Sequence, residues 1–178
     1  MTESIYQQFS ETELAILKAR ADRIAGLAQD KDDEERLTVL SVKIGNEQYA
    51  LPVERLANVY EGLPVIRVPC VPPGVAGIAN IRGRVVLVLD LNILLSVPGE
   101  ISDSSVLIAL ADDDLDLALR VDSVGDVESI PAASLSTVPS NIDLQQAGHI
   151  RGLFPNGLAL LDLTAIINDS SLAVDTNA

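Results

Sequence analysis

The sequence lacks most of the residue patterns from which catalytic and metal sites are built. It has one cysteine, Cys70, and one histidine, His149, in 178 residues. A single cysteine excludes an intramolecular disulfide and a cysteine-cluster metal site, and His149 has no second ligand residue at metal-binding spacing. No phosphate-binding glycine loop, dinucleotide fingerprint or Gly-x-Ser-x-Gly nucleophile elbow occurs. The sequence therefore predicts a protein that is not an enzyme, with no catalytic residue, cofactor or metal.

Basic residues and long apolar runs are also scarce. Lys and Arg total 12 against 26 Asp and Glu, which gives a formal net charge of −14. Binding to duplex DNA or anionic lipid needs clustered Lys and Arg, so neither is expected as a partner. The longest apolar runs, 85–89 and 106–111, are far shorter than a membrane span. We expect a cytoplasmic protein with no direct membrane insertion.

The few aromatic and many aliphatic residues together indicate the fold class. Trp is absent, Phe occurs twice and Tyr three times, whereas 48% of all residues are hydrophobic. A core made mainly of Val, Leu, Ile and Ala is typical of β-strands. A chain of 178 residues is long enough to bury such a core in one domain or in two small barrels.

An internal repeat is the most informative positive feature of the chain. Residues 49–60 are echoed by 117–128, and residues 77–91 are echoed in the same order by 148–163. Short strands at regular intervals, repeated once, predict a mainly β protein of two pseudo-repeated five-stranded barrels with short helices. Two similar barrels create a groove and several exposed faces, which favours docking over catalysis.

Four residues of the second repeat pair mark predicted strand corners. The alignment sets Arg82 opposite Arg151 and Gly83 opposite Gly152. A guanidinium fork can clamp a carbonyl or a carboxylate, which favours binding. Two arginines at equivalent corners equally favour a structural use, and the residues alone leave both interpretations open. The glycines are predicted to permit tight corners or close backbone approach.

Residues 1–36 differ from the rest of the chain and are predicted to form an N-terminal helical extension with an acidic linker. Ser10 and Glu13 match a capping box, and an apolar stripe at helical spacing follows: Leu14, Leu17, Ala21, Ile24 and Ala28. This amphipathic helix either packs on the body of its own chain or binds a partner. At the other end, residues 168–178 are predicted to be a flexible tail.

Between these ends, alternating apolar residues and turn signals predict short strands. The predicted strands and hairpins are 40–44 with 48–53, 84–91, 106–111 with 116–121, and 148–153 with 158–163. Helical turns are predicted at 54–59 and at 123–127, and a loop at 131–147. Residues 64–69 are predicted to be an extended edge, because proline cannot donate to a strand ladder.

The segment from Val68 to Leu91 resembles the signature of the CheW family of chemotaxis coupling proteins. It contains a proline-rich turn, then Gly77, the run Asn80-Ile-Arg-Gly83, and an apolar strand that ends in Asp90-Leu91. Tyr49-Ala-Leu-Pro-Val and Val121-Asp-Ser-Val also look like the family. The resemblance implies that residues 37–167 form two intertwined SH3-like β-barrels.

The resemblance also implies partners. Proteins of this family are noncatalytic adaptors that couple the cytoplasmic hairpin tip of a chemoreceptor to the regulatory domain of a CheA-type histidine kinase. They are recruited to membrane-associated receptor arrays, in which ring formation also brings like domains together. Carried over by position, Val53, Leu56, Asn58 and Arg82 lie on the receptor side, and Gly77 lies near the kinase-facing surface. Many members have Glu where Asn58 stands and a basic residue where Asn92 stands, so the choice of receptor stays open.

Two rival functions follow from other features. A CheW-like scaffold of another kinase pathway, such as one that controls pili or motility, would use the same fold. A metal-dependent hydrolase would combine His149 with the acidic cluster of Asp112, Asp113, Asp114 and Asp116, although that cluster lacks the spacing of a calcium loop. Cys70 is expected to be a small packed residue rather than a nucleophile.

Overall fold

The computed structural model describes residues 16, 35–98, 105–111, 116–138 and 148–172. Within these ranges the chain forms ten β-strands: β1 Arg36–Ile44, β2 Glu47–Pro52, β3 Leu56–Glu61, β4 Val75–Ile81, β5 Arg84–Asp90, β6 Val106–Leu110, β7 Leu117–Val121, β8 Ser123–Pro131, β9 Ile150–Leu153 and β10 Ala159–Leu161. Two short α-helices follow β5 and β10: α1 Leu91–Leu94 and α2 Leu163–Ile167. Single 3-10 turns occur at Val53–Arg55, Ala132–Ser134 and Ser170–Leu172.

The described strands form two five-stranded sheets of the same design. Barrel A has the order β8-β1-β2-β10-β9, and barrel B has the order β3-β6-β7-β5-β4. Each barrel takes two strands from one half of the chain and three from the other. In barrel A the parallel pair is β10 with β2, and in barrel B it is β5 with β7. The mainly β fold of two repeated SH3-like barrels, predicted from the sequence, is confirmed.

An isolated bridge at an equivalent place closes each sheet toward a barrel. In barrel B, Ile66 and Ile78 exchange two backbone hydrogen bonds of 2.8 and 2.9 Å. In barrel A, Ser136 and Leu153 exchange two of 2.9 and 3.0 Å. Each bridge joins the segment after the third strand of one half to the fourth strand of the same half, so strand-edge groups are paired rather than exposed.

Among the described residues, three apolar clusters hold the molecule together. One cluster is contributed by barrel B and includes Ile81, Val88 and Leu107. A second is contributed by barrel A and includes Val39 and Phe154. The third and largest, called the shared core below, draws residues from both barrels. Because neighbouring residues of one strand enter different clusters, the central strands are apolar on both faces, which explains their nearly continuous hydrophobic runs.

The structure confirms the predicted hairpins and corrects two helical assignments. Residues 123–127 are not helical, because β8 pairs with β1 from Lys43↔Ser123 to Arg36↔Pro131. Residues 54–59 begin with a single 3-10 turn and continue as β3. In both places short polar sequences with weak strand patterns become strands because a neighbouring strand offers hydrogen bonds.

Most of the N-terminal extension lies outside the described residues, including all five residues of the predicted apolar stripe. Ile16 is described: it is helical, 1% exposed, and belongs to the shared core. In the ranges that the structure describes, no helix combines the length and apolar character that crossing a membrane would need.

Candidate docking surface

The β4–β5 hairpin of barrel B turns sharply at Arg82 and Gly83. Ile81 pairs with Arg84 across this turn, so two residues make the whole connection. Arg82 has φ +52° and Gly83 has φ +88°. Two-residue hairpin turns of this kind require positive φ at both positions, which glycine meets without strain and arginine does not. Arg82 is therefore held in a left-handed conformation at an exposed hairpin tip.

Asn80 fixes the shape of this turn. Its side-chain oxygen accepts a hydrogen bond of 2.8 Å from the backbone N–H of Gly83. Short amide side chains commonly satisfy nearby backbone donors in this way and so stabilise turns. The spacing in Asn80-Ile-Arg-Gly83 thus has a local physical reason.

Tyr60 lies beneath the Arg82 side chain. The guanidinium carbon of Arg82 is 5.8 Å from the centroid of the Tyr60 ring, within the range of a cation–π contact. Tyr60 is half-buried in β3 and packs against the barrel B cluster, whereas Arg82 is exposed. Sequence reasoning missed Tyr60; its position two residues after Asn58 in one strand was the available signal, because such residues share a face.

The next arginine along the hairpin is engaged differently. Arg84 forms an ion pair of 2.6 Å with Asp116, and the two side chains are 67% and 47% exposed. Exposed pairs of this kind contribute about 0–1 kcal/mol. No carboxylate among the described residues forms an ion pair with Arg82.

The other residues predicted on the receptor side differ in exposure. Val53 and Leu56 are buried, at 2% and 0% exposed, and both belong to the shared core. Asn58 is half-buried in β3, opposite Ala109 of β6. Of the four, Asn58 and Arg82 have surface to offer a partner. A receptor-side role for Val53 and Leu56 stays a prediction, and it would act by positioning the strand rather than by contact.

Gly77, predicted near the kinase-facing surface, lies buried at the barrel B closure. Its φ is +144°, and a Cβ placed on it would lie 2.2 Å from the carbonyl oxygen of Ile66. The missing side chain lets the Ile66 backbone reach Ile78. Kinase binding near Gly77 stays a prediction, and the structure gives this residue a direct role in closing the barrel.

The predicted equivalence of Arg82 with Arg151 and of Gly83 with Gly152 is wrong. Gly152 performs in barrel A the task of Gly77, since a Cβ on it would lie 2.6 Å from the carbonyl oxygen of Ser136. Arg151 precedes it inside β9 and is not at a turn. The sequence alignment is out of register here because the β4–β5 and β9–β10 hairpins differ in length. Both hairpins have a glycine immediately before the residue that forms the isolated bridge.

Family membership is decided by comparison with known proteins. Residues 38–171 match the CheW-like domain. The chain belongs to this family. The CheW-like chain is 26% identical to the chemotaxis protein CheW of Bacillus subtilis, over 72% of its own length and 85% of that protein. It is 25% identical to the chemotaxis protein CheW of Klebsiella aerogenes, over 75% and 83% respectively.

A solved structure supports the same fold. The scaffolding protein TtCheW from Thermoanaerobacter tengcongensis matches the CheW-like chain with a TM-score of 0.64 and 20% identity. The match covers 72% of this chain and 90% of that one. At this level of identity the likeness establishes the two-barrel architecture.

The described part of the CheW-like chain contains no arrangement of side chains that would support the metal-dependent hydrolase hypothesis. There, no group of three or more His, Cys, Asp and Glu side chains is placed to hold a metal ion. His149 is buried, and its Nε2 lies 2.7 Å from a carboxylate oxygen of Asp169. Asp116 pairs with Arg84, and the other three acidic residues of the cluster lie outside the described residues.

Asp169 links the end of the described chain to the barrels. The pKa of Asp169 is lower than its ordinary value. The main cause is the Ser171 backbone N–H, which donates a hydrogen bond of 2.7 Å to the Asp169 carboxylate, and the contact with His149 lowers the pKa further. The next turn places Leu172 against the shared core. Residues 168–172 are thus tied to the CheW-like domain, while the rest of the predicted tail lies outside the described residues.

Cys70 is exposed, contrary to the prediction of a small packed residue. It has φ +60° in the turn after Pro69 and lies outside the apolar clusters. The proline-rich segment around it forms one bridge, at Ile66, and no regular strand, so it offers no interior site for a small side chain.

Proposed function

We propose that this CheW-like protein is a noncatalytic chemosensory adaptor that couples chemoreceptor signalling tips to a CheA-type histidine kinase. It acts in the cytoplasm, at receptor arrays. The observation that carries the proposal is the family match over residues 38–171, which spans both barrels. The relatives named above are chemotaxis proteins, and the solved neighbour is named as a scaffolding protein.

The physical design suits an adaptor. Two barrels joined by a continuous shared core hold separate surfaces in a fixed relation. An adaptor needs that rigidity, because two partners bound to one rigid body are brought together at high effective concentration. Each contact can then be modest in area and affinity, and a repeated array makes the assembly stable.

In this proposal the receptor tip docks on the face of barrel B that carries Asn58 and Arg82. The kinase regulatory domain docks near the edge of the same barrel, where Gly77 shapes the closure. The exposure of Ile66, 64% at that closure, supplies apolar surface for such a contact. Neither step changes a covalent bond.

A two-partner binding assay tests the proposal. The purified full chain is immobilised and offered the regulatory domain of the CheA-type kinase from its own cell and, separately, a receptor signalling-tip fragment. We expect both to bind. Binding of neither folded partner would overturn the proposal, and binding of the kinase domain alone would favour a scaffold of another kinase pathway.

The Arg82→Ala variant tests, in the same assay, whether the receptor docks on the surface that carries Arg82. We expect weaker receptor binding, unchanged kinase binding and an unchanged thermal unfolding midpoint, because the Arg82 side chain is exposed and forms no part of the apolar clusters. Arg151→Ala, an exposed arginine of barrel A, is the matched control and is expected to bind both partners normally. Normal receptor binding by Arg82→Ala would show that the receptor docks elsewhere.

A further inference from the structure

The tip of the β9–β10 hairpin in barrel A carries a reactive pair of residues. Asn156 and Gly157 are both exposed there, and theirs is the one Asn-Gly sequence in the chain. An asparagine side chain loses ammonia when the backbone nitrogen of the next residue attacks its carbonyl carbon. Glycine permits this attack most readily, because it has no Cβ beside the nitrogen and its backbone rotates freely. The pair is therefore suited to a covalent modification that needs no enzyme.

The folded turn occupies both reacting groups. The backbone N–H of Gly157 donates a hydrogen bond of 2.9 Å to the carbonyl oxygen of Phe154. The side-chain oxygen of Asn156 accepts a hydrogen bond of 3.1 Å from the backbone N–H of Leu158. The first bond holds the proton that the attacking nitrogen must lose, and the second fixes the Asn156 side chain toward Leu158. We expect both bonds to break before the attack takes place.

The tip of this turn can open without unfolding the barrel. Phe154 and Leu158 are 3% and 6% exposed, belong to the barrel A cluster, and are joined by a backbone hydrogen bond of 2.9 Å. Between these two anchored residues, Pro155, Asn156 and Gly157 are exposed. Exposed tips with few packing contacts open at a low cost in free energy, whereas buried strands open only with the whole domain. The protection of Asn156 is thus lost by a local motion.

We propose that Asn156 is a site of spontaneous deamidation and that opening of the hairpin tip controls its rate. The Gly157 nitrogen loses its proton and bonds to the side-chain carbonyl carbon of Asn156. The bond from that carbon to the side-chain NH₂ breaks, and ammonia leaves with the proton. Water then opens the resulting succinimide ring at one of its two carbonyl carbons. Water is the only co-reactant, and nothing is oxidised or reduced.

The two products of ring opening differ in their effect on barrel A. Opening at the former side-chain carbonyl restores the main chain with an aspartate, which can still accept the hydrogen bond from Leu158. Opening at the main-chain carbonyl gives isoaspartate, whose backbone is longer by a methylene and no longer fits the turn. Either product adds a negative charge beside Asp126 and Glu128, which line the same cavity of about 300 Å³ as Asn156. Deamidation therefore makes this end of barrel A more acidic.

Mass spectrometry of the full chain tests the site and the role of opening. Purified protein is kept at mildly alkaline pH, either folded or in denaturing urea, and its peptides are followed over several weeks. We expect Asn156 to gain about one mass unit, because OH replaces NH₂, and to convert about tenfold or more slowly in the folded chain. Asn46, exposed in the β1–β2 turn but followed by Glu47, is the internal control and is expected to stay intact. An unmodified Asn156 in the folded chain, earlier conversion of Asn46, or equal rates in the two states would overturn the proposal.

Two variants test the chemical step. Asn156→Gln keeps a neutral amide but would have to close a larger ring, so we expect no conversion at this position. Gly157→Ala places a methyl group beside the attacking nitrogen and is expected to slow the reaction severalfold in urea. Urea is the right condition, because alanine at φ +84° would also strain the folded tip. If Gly157→Ala converts in urea as fast as the unaltered chain, the Gly157 nitrogen is not the attacking group.

Analysis of the products tests their effect on the turn. Ion exchange separates modified from unmodified chains by the added charge, and a protease that cleaves before aspartate but not before isoaspartate identifies the two products. Asn156→Asp represents the first product and is expected to keep the thermal unfolding midpoint of the unaltered chain. The isoaspartate fraction is expected to unfold at a lower temperature. Equal midpoints for the two products would show that isoaspartate leaves the turn intact, contrary to the proposal.

Discussion

Asp90 combines two tasks at a single buried residue. Its side chain is 1% exposed, accepts a hydrogen bond of 3.0 Å from the backbone N–H of Asn92 at the start of α1, and forms an ion pair with Arg120 of β7. Because Asp90 belongs to the first half of the chain and Arg120 to the second, this pair fastens the two halves inside barrel B. The repeat places Pro52 where Arg120 stands, so barrel A has no counterpart of this pair.

Arg120→Met is expected to lower the free energy of unfolding by about 3–5 kcal/mol, because it leaves the Asp90 carboxylate buried without its counter-charge. Urea denaturation at neutral pH measures the change. Arg84→Met, which removes an exposed ion pair from the same barrel, is the matched control and is expected to cost about 0–1 kcal/mol. Equal losses in the two variants would contradict the importance of burial.

Asp169 gives the chain a predictable acid response. Its pKa is lower in the folded protein than the ordinary value of 3.8, so its contribution to stability is complete above that value. That contribution is lost as the pH falls through the lowered, folded-state pKa. Asp169→Asn is therefore expected to be less stable than the unaltered chain at pH 7, with the gap narrowing under acid.

Unfolding curves of both proteins, recorded from neutral pH down to below the ordinary aspartate pKa, measure this gap. Asp116→Asn is a suitable control because its partner, Arg84, is exposed. A gap that stays constant across the whole pH range would show that Asp169 acts through shape or hydrogen bonding alone.

The sequence predicts which residues belong to the candidate site where those residues lie in a motif. Arg82 stands out in Asn80-Ile-Arg-Gly83, and its exposed turn fits that reading. Tyr60 and Arg120 were not predictable, because their partners lie far away in sequence and are brought near by strand pairing. Val53 and Leu56 are buried because both belong to the shared core, whose residues come from both barrels and are far apart in sequence.

At the scale of elements, glycines beside the closing bridges control whether a barrel can form. Gly77→Ala combines a left-handed φ with a 2.2 Å clash against the Ile66 backbone. We expect it to lower the free energy of unfolding by more than about 3 kcal/mol, beyond the range of backbone strain alone. Thermal or urea unfolding of the full chain measures the loss.

Substitutions at two other glycines separate the effect of the left-handed φ from the effect of the backbone clash. Gly83→Ala has a left-handed φ but open space around its new Cβ, so it is expected to cost only about 1 kcal/mol. Gly152→Ala has the backbone clash in barrel A without the left-handed φ and should fall between the two. If Gly77→Ala were as mild as Gly83→Ala, the close approach of Ile66 would have no energetic importance.

Elements were predicted well where both faces of a strand are apolar or where a turn signal is strong. The β5 run and the hairpin closed by Asn156-Gly157 fall in this class. Residues 123–127 of β8 look helical in the sequence because the exposed positions of this strand are polar and its partner, β1, lies about 90 residues away. A strand of that kind is defined by its neighbour and not by its own composition.

At the scale of the whole molecule, the strand exchange predicts that neither half of the chain is a folding unit. Fragments 1–98 and 99–178 each lack strands of both barrels. We expect each fragment alone to be largely unfolded by circular dichroism. Mixed in equal amounts, they are expected to regain strand signal and one cooperative thermal transition, because each completes the other.

Titration of one fragment with increasing amounts of the other checks the stoichiometry, which is expected to be one to one. Arg120→Met in the second fragment should weaken reassembly, since Asp90 lies in the first. A fragment that folds cooperatively on its own would show that its strands make a barrel without their exchanged partners.

The repeat in the sequence predicted two barrels, and the family resemblance predicted that they are intertwined. Which strands are exchanged was not predictable from either. A repeat of five strands is equally consistent with two barrels that follow one another along the chain. Packing decides between these two arrangements. The shared core includes Leu40, Leu56, Leu119 and Leu161, which come from both barrels. Strand exchange between the halves therefore buries one apolar face of each barrel in a single interior.

The strand order has a consequence for synthesis. Barrel B is an uninterrupted stretch, β3 through β7, and all its strands are synthesised before β8. The β1–β2 hairpin is made before the other described strands, yet it waits for β10, which ends at Leu161. At typical translation speeds this delay is on the order of 5 to 20 s. The first described strands of the nascent chain therefore wait longest for their partners, and they are the strands for which a chaperone has the most time to bind.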